Sequence, residues 1–328
     1  MKALITGATG FLGQHLALHL AARGWEITGT GRDMTKGRRL IDQGIRFLPV
    51  DLTDWAGIFQ LCQDQEVVFH CGGLSSVWGN KIEFERANVD GTQNIIDACL
   101  EQRVGRLVHI STPSLYFNGD SRLQVKEDDP LPAAPINHYV WSKLEAEKRV
   151  DRAVAHGLAA ITLRPRAIYG PGDQSLVPRV VRTLKTGRLR IIGEGDNVQN
   201  MTHVSNLVAA ICLAADAPQH LSGRKFNITD GEEVKIWEVI QGIAERLNFP
   251  PITKKISHRA AHALATGLEW GHRLLPLSGE PLLTRYTVSV LSQSQTLDIS
   301  AAERDLGYRP LIGSNAGIEA TLEELAAG

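Results

Sequence analysis

Short apolar runs alternate with stretches of helical apolar spacing over the first half of the chain. The runs are Lys2–Thr6, Glu26–Thr30, Ile45–Val50, Val67–Cys71, Arg106–Ser111 and Ala160–Pro165, each predicted as a strand. Between them, residues 11–23, 54–63, 85–102 and 139–157 carry helical spacing. The runs are apolar throughout rather than alternating, as expected of parallel strands covered on both faces. This alternation predicts an α/β fold, a doubly wound parallel sheet of roughly seven strands.

Beyond about residue 170 the rhythm breaks. "YGPGD" (169–173) is a turn cluster. After it the pattern predicts a helix at 175–186, a short strand near 189–192, a helix at 204–216, a strand near Lys225–Thr229 and a helix at 235–247. The chain therefore divides into a larger domain over 1–170, with later sheet strands drawn from about 189–230, and a smaller irregular lobe over 171–328 interleaved with it. His258–Leu275 reads as a helix with Ala261, Leu264, Ala265, Leu268 and Leu275 on one side. Such a helix either packs on the body or forms a lid over an apolar substrate.

The first strand runs into TGATGFLG (6–13), and a helical pattern follows at once. Glycines three residues apart in that context have distinct uses. Gly7 allows a tight turn, Gly10 lets backbone approach a pyrophosphate, and Gly13 lets helix and strand pack closely. The helix N-terminus beside them offers free N–H groups to phosphates. This predicts a Rossmann dinucleotide site. At the end of the second strand the ribose-facing position falls on Gly31, with Arg32 next and Asp33 one step on. A small residue followed by a guanidinium suits a 2′-phosphate, so NADP(H) is favoured and NAD(H) remains open. In "DLTD" (51–54), Asp51 and Leu52 are placed to meet the adenine, and Asp51 is equally suited to cap a helix.

Composition removes several classes. The chain has 328 residues, is 43% hydrophobic and 22% charged, and has a formal net charge of -1, so no field selects nucleic acid or an acidic membrane. No apolar run is long enough to span a bilayer. The four cysteines show no CxxC or zinc spacing, which fits incidental reduced thiols in a cytoplasmic protein. The first strand begins at about residue 2, leaving no room for a signal peptide. No metal site is expected. His258 and His262 sit four apart without an acidic partner, and a packed or solvated helix explains them better.

"YVWSK" (139–143) puts Tyr139 and Lys143 four apart on a predicted helix, hence on one face. An ammonium beside a phenol favours the phenolate, and such a pair can exchange a proton with a carbonyl or hydroxyl. "HISTPSLY" (109–116) ends a strand at the carboxyl edge of the sheet, where ligands bind, and offers Ser111, Thr112 and Ser114.

With these segments, "VVFHCGG" (67–73), "NVDGTQNI" (88–95), "LRPRAIYGPGD" (163–173) and "LDISAAERDLGYRP" (297–310), nearly the whole chain resembles the extended short-chain dehydrogenases/reductases. The resemblance implies a catalytic set of Thr112, Tyr139 and Lys143. It implies cofactor contacts from Gly7, Gly10, Phe11, Leu12, Gly13, Arg32, Asp51 and Leu52. Cys71, Gly72, Gly73, Tyr139, Lys143, Pro165 and Ile168 join them. Ser114, Leu176 and Met201 would face the substrate. Asn88 matches the asparagine that opens the family's fourth helix, where it can cap. A homodimer through helices 85–102 and 139–157 is expected, with Ile95, Ile96, Cys99 and Leu100 as surplus apolar surface.

Departures narrow the function. Thr112-Pro113-Ser114 stands where sugar dehydratases resemble one another in Thr-Asp-Glu, so no carboxylate is present for 4,6-dehydration. In "GEGDNVQNMTHV" (193–204), Gln199 takes the place of an arginine that binds sugar diphosphates. The branch most resembled is that of 3β-hydroxysteroid dehydrogenases and 2-alkyl-3-oxoalkanoate reductases. It implies hydride transfer between NADP(H) and a hydroxyl or ketone on a small hydrophobic substrate, under an apolar roof of Leu176, Met201 and the 258–285 region. A nucleotide-sugar 4-epimerase with bound NAD and a non-catalytic dinucleotide sensor are the alternatives.

Overall fold

The computed structural model describes residues 1–173, 176–275 and 279–327. Residues 174–175 and 276–278 lie outside the described residues; residue 175 begins the predicted helix 175–186, and 276–278 fall within the 258–285 roof. In chain order the first elements are β1 (Lys2–Thr6), α1 (Phe11–Ala22), β2 (Glu26–Gly31), α2 (Met34–Ile41), β3 (Arg46–Pro49) and α3 (Trp55–Cys62). Next come β4 (Val67–His70), α4 (Lys81–Phe84), a π-helical stretch Glu85–Asp90, α5 (Gly91–Glu101) and β5 (Arg106–Ile110). Then β6 (Arg122–Val125), α6 (His138–Ala155) and β7 (Ala160–Pro165) follow.

Seven parallel strands form the main sheet in the order Lys225–Ile228, β7, β5, β4, β1, β2, β3. The order reverses between β1 and β4, which opens a crevice at their carboxyl ends. Side-chain alternation along β1 builds both faces. Ala3 and Ile5 pack with Leu16, Leu20, Leu207 and Ile211 under α1 and the helix Val204–Asp216. Leu4 points the other way, to Ile58, Leu61, Ile95 and Val150 under α3, α5 and α6.

Ile95, Ile96 and Cys99 are thus spent inside the monomer, at 0%, 2% and 1% exposure. They are not surplus surface for a dimer, and Leu100 alone of the four is exposed. The expectation of a homodimer then rests on the family resemblance alone. Among the described residues no helix is long and apolar enough to cross a membrane.

The later strand Ile191–Ile192 does not enter the main sheet but pairs with Lys255–Ile256. A second small sheet joins Val234–Lys235, Val198–Gln199, Gln295–Leu297 and β6, so a strand from the first half is built into the C-terminal lobe. The helix His258–Leu274 packs through Ala261 and Ala265 against Trp237 and Val288. Leu264 and Leu275, expected on the packed side, are exposed. Helices Met34–Ile41, Arg285–Ser292 and Ser314–Ala327 were not foreseen from the pattern.

Candidate active site

The turn after β1 is shaped for close backbone approach. Gly7 has φ +66, and a Cβ there would lie 2.7 Å from Gly72 Cα. A Cβ on Gly13 would lie 2.2 Å from the Gly7 carbonyl oxygen. Neither position admits a side chain, so the turn, the segment after β4 and the start of α1 are in direct contact. Gly10 is the N-cap of α1 and supplies no side-chain cap, so the first-turn N–H groups keep their donors for a ligand. Thr6 Oγ1 braces the wall, accepting from Gly72 N at 3.0 Å and bonding His70 Nδ1 at 2.8 Å. Burial pushes the Cys71 thiol up to about 12, with the Lys143 charge opposing, so it stays protonated.

The cradle fits a dinucleotide. Gly7, Gly10, Phe11, Leu12, Gly13, Arg32, Asp51, Leu52, Cys71, Gly72, Gly73, Pro165 and Ile168 all line one cavity of about 1260 Å³. Gly31 has no room for a carboxylate as it stands, because a Cβ would meet Thr9 Oγ1 at 2.8 Å. A side pocket beyond it is walled by Thr9, Arg32, Asp33, Met34 and Lys36. Asp33 does not turn inward: it caps α2, accepting from Lys36 N at 3.1 Å. Asp51 is not the helix cap, since Asp54 takes that role on α3. The Asp51 Oδ1 instead accepts from Thr53 N at 2.9 Å and Thr53 Oγ1 at 2.7 Å. Partial burial raises its pKa, the two Thr53 bonds and the Arg32 charge outweigh this, and the net shift is downward. Arg32 Nε stands 3.9 Å from Asp51 with its side chain mostly exposed.

Two elements deliver the chemistry. Thr112 follows β5 and caps a single 3-10 turn, accepting from Ser114 N at 3.2 Å. Its hydroxyl donates to Ser114 Oγ at 3.1 Å, and Ser114 Oγ bonds Tyr286 OH at 2.8 Å. Tyr139, in the first turn of α6 two residues after the Asn137 cap, lies close to Thr112. The result is a chain of hydroxyls, Thr112, Ser114, Tyr286, with Tyr139 beside Thr112 in the same cavity. Burial pushes the Tyr139 phenol up to about 12; Tyr286 adds to this and the Thr112 bond only partly offsets it. Lys143 was expected to make the phenol acidic. Its ammonium instead donates to the Ile110 carbonyl at 2.6 Å, and burial lowers it to about 8 with Glu147 and Cys71 opposing.

Asn88 is not a helix cap. It lies 2% exposed in the π-helical stretch, where its Oδ1 accepts from Leu74 N at 2.6 Å. Its Nδ2 donates to Leu74 O at 3.0 Å and Ser142 Oγ at 2.8 Å, tying the loop after β4 to α6.

Leu176 and Met201 line the same cavity. The roof is not free of charge, however. Arg166 and Arg179 line it too; Arg179 is ion-paired with Glu280, and Arg166 donates to Gln199 Oε1. Gln199 in turn donates to Val290 O at 3.0 Å and Gln293 O at 2.7 Å. Arg166 and Tyr286 were missed. Arg166 stood in plain view in "LRPRAIYGPGD", but Tyr286 carries no local signal: a helix 147 residues downstream of Tyr139 folds it back. The rings of His258 and His262 are 6.0 Å apart, and among the described residues no group of three or more ligating side chains could hold a metal.

A seven-stranded doubly wound sheet, a glycine cradle at its switch point and a Tyr–Lys pair beside it define an extended short-chain dehydrogenase/reductase. The chain belongs to the NAD dependent epimerase/dehydratase family, whose model matches residues 3–229. Among curated proteins it is 34% identical over 326 residues to a 2-alkyl-3-oxoalkanoate reductase of Stenotrophomonas maltophilia, covering 97% of each chain. The reductase of that name from Shewanella oneidensis is 33% identical over 330 residues, 97% of this chain and 84% of the relative. A decarboxylating sterol-4-alpha-carboxylate 3-dehydrogenase of Schizosaccharomyces pombe is 31% identical over 333 residues, 98% of this chain and 97% of the relative. Among solved structures, a UDP-glucuronic acid 4-epimerase from Bacillus cereus in complex with NAD superposes with a TM-score of 0.78 at 21% identity, covering 100% of this chain and 99% of that one. That likeness shows the fold. The protein is an NAD(P)-dependent dehydrogenase/reductase of the extended short-chain type.

Proposed function

We propose that the enzyme interconverts a ketone and a hydroxyl on a hydrophobic substrate, with NADP(H) preferred and Thr112, Tyr139 and Lys143 as the catalytic set. The observation that carries this reading is that Thr112, Tyr139 and Lys143 line one cavity with the dinucleotide cradle. When bound, the nicotinamide supplies or accepts the hydride. A substrate oxygen seated between Thr112 and Tyr139 gains negative charge as the ketone is reduced. Thr112 donates a hydrogen bond to it and Tyr139 delivers the proton. With its pKa near 12, Tyr139 holds that proton at neutral pH and is ready as the acid. Lys143 would hold the nicotinamide ribose. The side pocket with Arg32 and Lys36 supports a 2′-phosphate. The relatives' names support a ketone or alcohol substrate, and the intact proton-transfer set argues against a sensor.

Tyr139→Phe keeps the ring and removes the proton donor. It should depress kcat by about two to four orders of magnitude and leave NADPH binding nearly intact. Retained turnover in steady-state assays of that variant would sink the mechanism. UDP-sugar epimerisation by the unmodified enzyme, without ketone reduction, would sink the substrate class.

A further inference from the structure

The helix His258–Leu274 is inverted. A surface helix ordinarily buries an apolar stripe and shows its charges to water. Here the inward side holds Ala261, Ala265 and Glu269. Glu269 is the helix's one acid, and it accepts from Arg285 N at 2.7 Å and from Arg285 Nε at 2.9 Å. At about 100° per residue, the opposite side presents Ala260, Ala263, Leu264, Gly267, Trp270 and Leu274, all exposed, with no charged side chain between them. From Leu264 to Leu274 this face runs about 15 Å. Leu264, Trp270, Leu274, the next residue Leu275, and Leu282 are 53–73% exposed. Single exposed leucines are ordinary on a protein surface, whereas a whole apolar face marks a place where something docks.

The charges beside the face select what docks. Arg259, His262 and Arg273 lie along one flank and are exposed. At the C-terminal end, the Arg273 guanidinium lies 5.6 Å from the centre of the Trp78 ring, and the Lys81 ammonium lies 4.4 Å from that of Trp141. Burial first, and then the charges of Arg273 and Lys81, lower the His138 pKa, which gathers both cations at that end. Glu280, the acid that follows the helix, is ion-paired with Arg179. A second copy docked face to face would bring arginines against arginines, with no acid on the helix face to receive them. An anionic bilayer offers acyl chains to Leu264 and Leu274, an interfacial seat to the Trp270 indole, and phosphates to the arginines. The net charge of -1 exerts no long-range pull, so the attraction is local. At 17 residues, with Glu269 and Arg259 in its length, the helix suits the plane of the interface and not a span.

The face adjoins the mouth of the cavity. Among the described residues of 258–285, Leu282 and Leu283 line that cavity. Leu282 is exposed, and Leu283 packs with Ala261 and Ala265 beneath the helix. We propose that this face docks the enzyme peripherally on an anionic lipid surface, with Leu264, Trp270 and Leu274 in the interface and Arg259 and Arg273 on lipid phosphates. The mouth of the cavity at Leu282 then meets the bilayer, and a hydrophobic substrate reaches the site without crossing water. That consequence rests on the hydrophobic-substrate reading above; the docking itself does not.

Flotation with vesicles tests the surface. The unmodified enzyme is mixed with vesicles of phosphatidylcholine alone, or of phosphatidylcholine with about 30% phosphatidylglycerol. It should partition onto the anionic vesicles at least about tenfold more strongly, and less so as salt rises. Trp270→Glu with Leu274→Glu places two acids at exposed positions outside the cavity lining. That variant should lose about tenfold or more of the partitioning, with Tm and NADPH binding unchanged. Arg259→Gln with Arg273→Gln should remove the preference for anionic lipid. No vesicle binding by the unmodified enzyme, which needs no variant to fold, overturns the proposal. So does equal binding to both kinds of vesicle, or binding that survives Trp270→Glu with Leu274→Glu. A dimer that the same variant splits in light scattering, with no vesicle binding by the parent, assigns the face to a second copy and overturns it as well. Vesicle binding without any ketone turnover supports the surface and overturns the hydride-transfer reading. Ketone turnover without vesicle binding does the reverse.

Discussion

At the scale of single residues, burial sets the titration of the site. A lysine whose folded pKa is near 8, against about 10.4 in the unfolded chain, is protonated in both states below pH 8 and neutral in both above 10.4. Between those limits the unfolded chain binds the extra proton, so stability rises with pH across this window. The rise attributable to Lys143 is on the order of a few kcal/mol. Urea unfolding at pH 7.5, 9 and 10 should show that Lys143→Met flattens it; an unchanged slope in the variant would place the proton elsewhere. Arg32 acts through charge at an exposed site. Arg32→Ala should weaken NADPH by about 1.5 kcal/mol, roughly tenfold, and leave NADH nearly unaffected. The gap between the two cofactors should shrink as salt rises. Fluorescence titrations with both cofactors check this, and equal losses for the two would refute a 2′-phosphate contact.

At the scale of elements, α6 carries both Tyr139 and Lys143, and its next turn is what fastens it. Glu147 accepts from Arg164 Nε at 2.9 Å and from its terminal nitrogen at 2.6 Å, with both side chains 3% exposed. Arg164 sits on β7, so the pair clamps α6 to the sheet. Tyr116 and the carbonyl of Glu127 complete the guanidinium's bonds. Removing one partner of a buried pair leaves the other uncompensated. Glu147→Ala should therefore cost about 3–5 kcal/mol in denaturant unfolding, far more than a loss of about 1 kcal/mol or less for the exposed Lys255–Glu194 pair. A variant no less stable than the parent would show that the clamp contributes nothing. Asn88 does complementary work at the other end of α6, where it links Ser142 to Leu74 through one side chain.

At the scale of the whole molecule, the cavity runs from the Gly7–Gly13 turn to the helices of the C-terminal lobe, so ligands bind between parts distant in sequence. A cofactor seated there stabilises only the folded state. At a hundred times its dissociation constant it adds about 2.7 kcal/mol. For a chain of 328 residues that corresponds to a rise in Tm of about 4 °C. Calorimetry with NADPH should show it in the parent enzyme, and Arg32→Ala should need a higher NADPH concentration to reach it. No shift at saturating cofactor would contradict binding at the cradle.

The local chemistry of the chain determined the main sheet and the cradle. Continuous apolar runs such as Val67–Phe69 can only be covered on both faces, and Gly7, Gly10 and Gly13 leave no side chain where backbone must meet backbone. The Tyr139–Lys143 spacing was legible because one helix presents both. What tertiary structure decided lies where meaning depends on distant partners. Asn88 is a short polar residue able to cap a helix, and the distant Leu74 and Ser142 claimed it instead. Ile95 and Cys99 looked like dimer surface until α5 packed beneath α6. Lys143 stands one turn from Tyr139, yet the Ile110 carbonyl draws its ammonium away. Arg166 read as one more residue of a strand-end motif. It donates to Gln199, which is itself held by the Val290 and Gln293 carbonyls, a partnership no local pattern encodes because it forms only when the chain has closed around it.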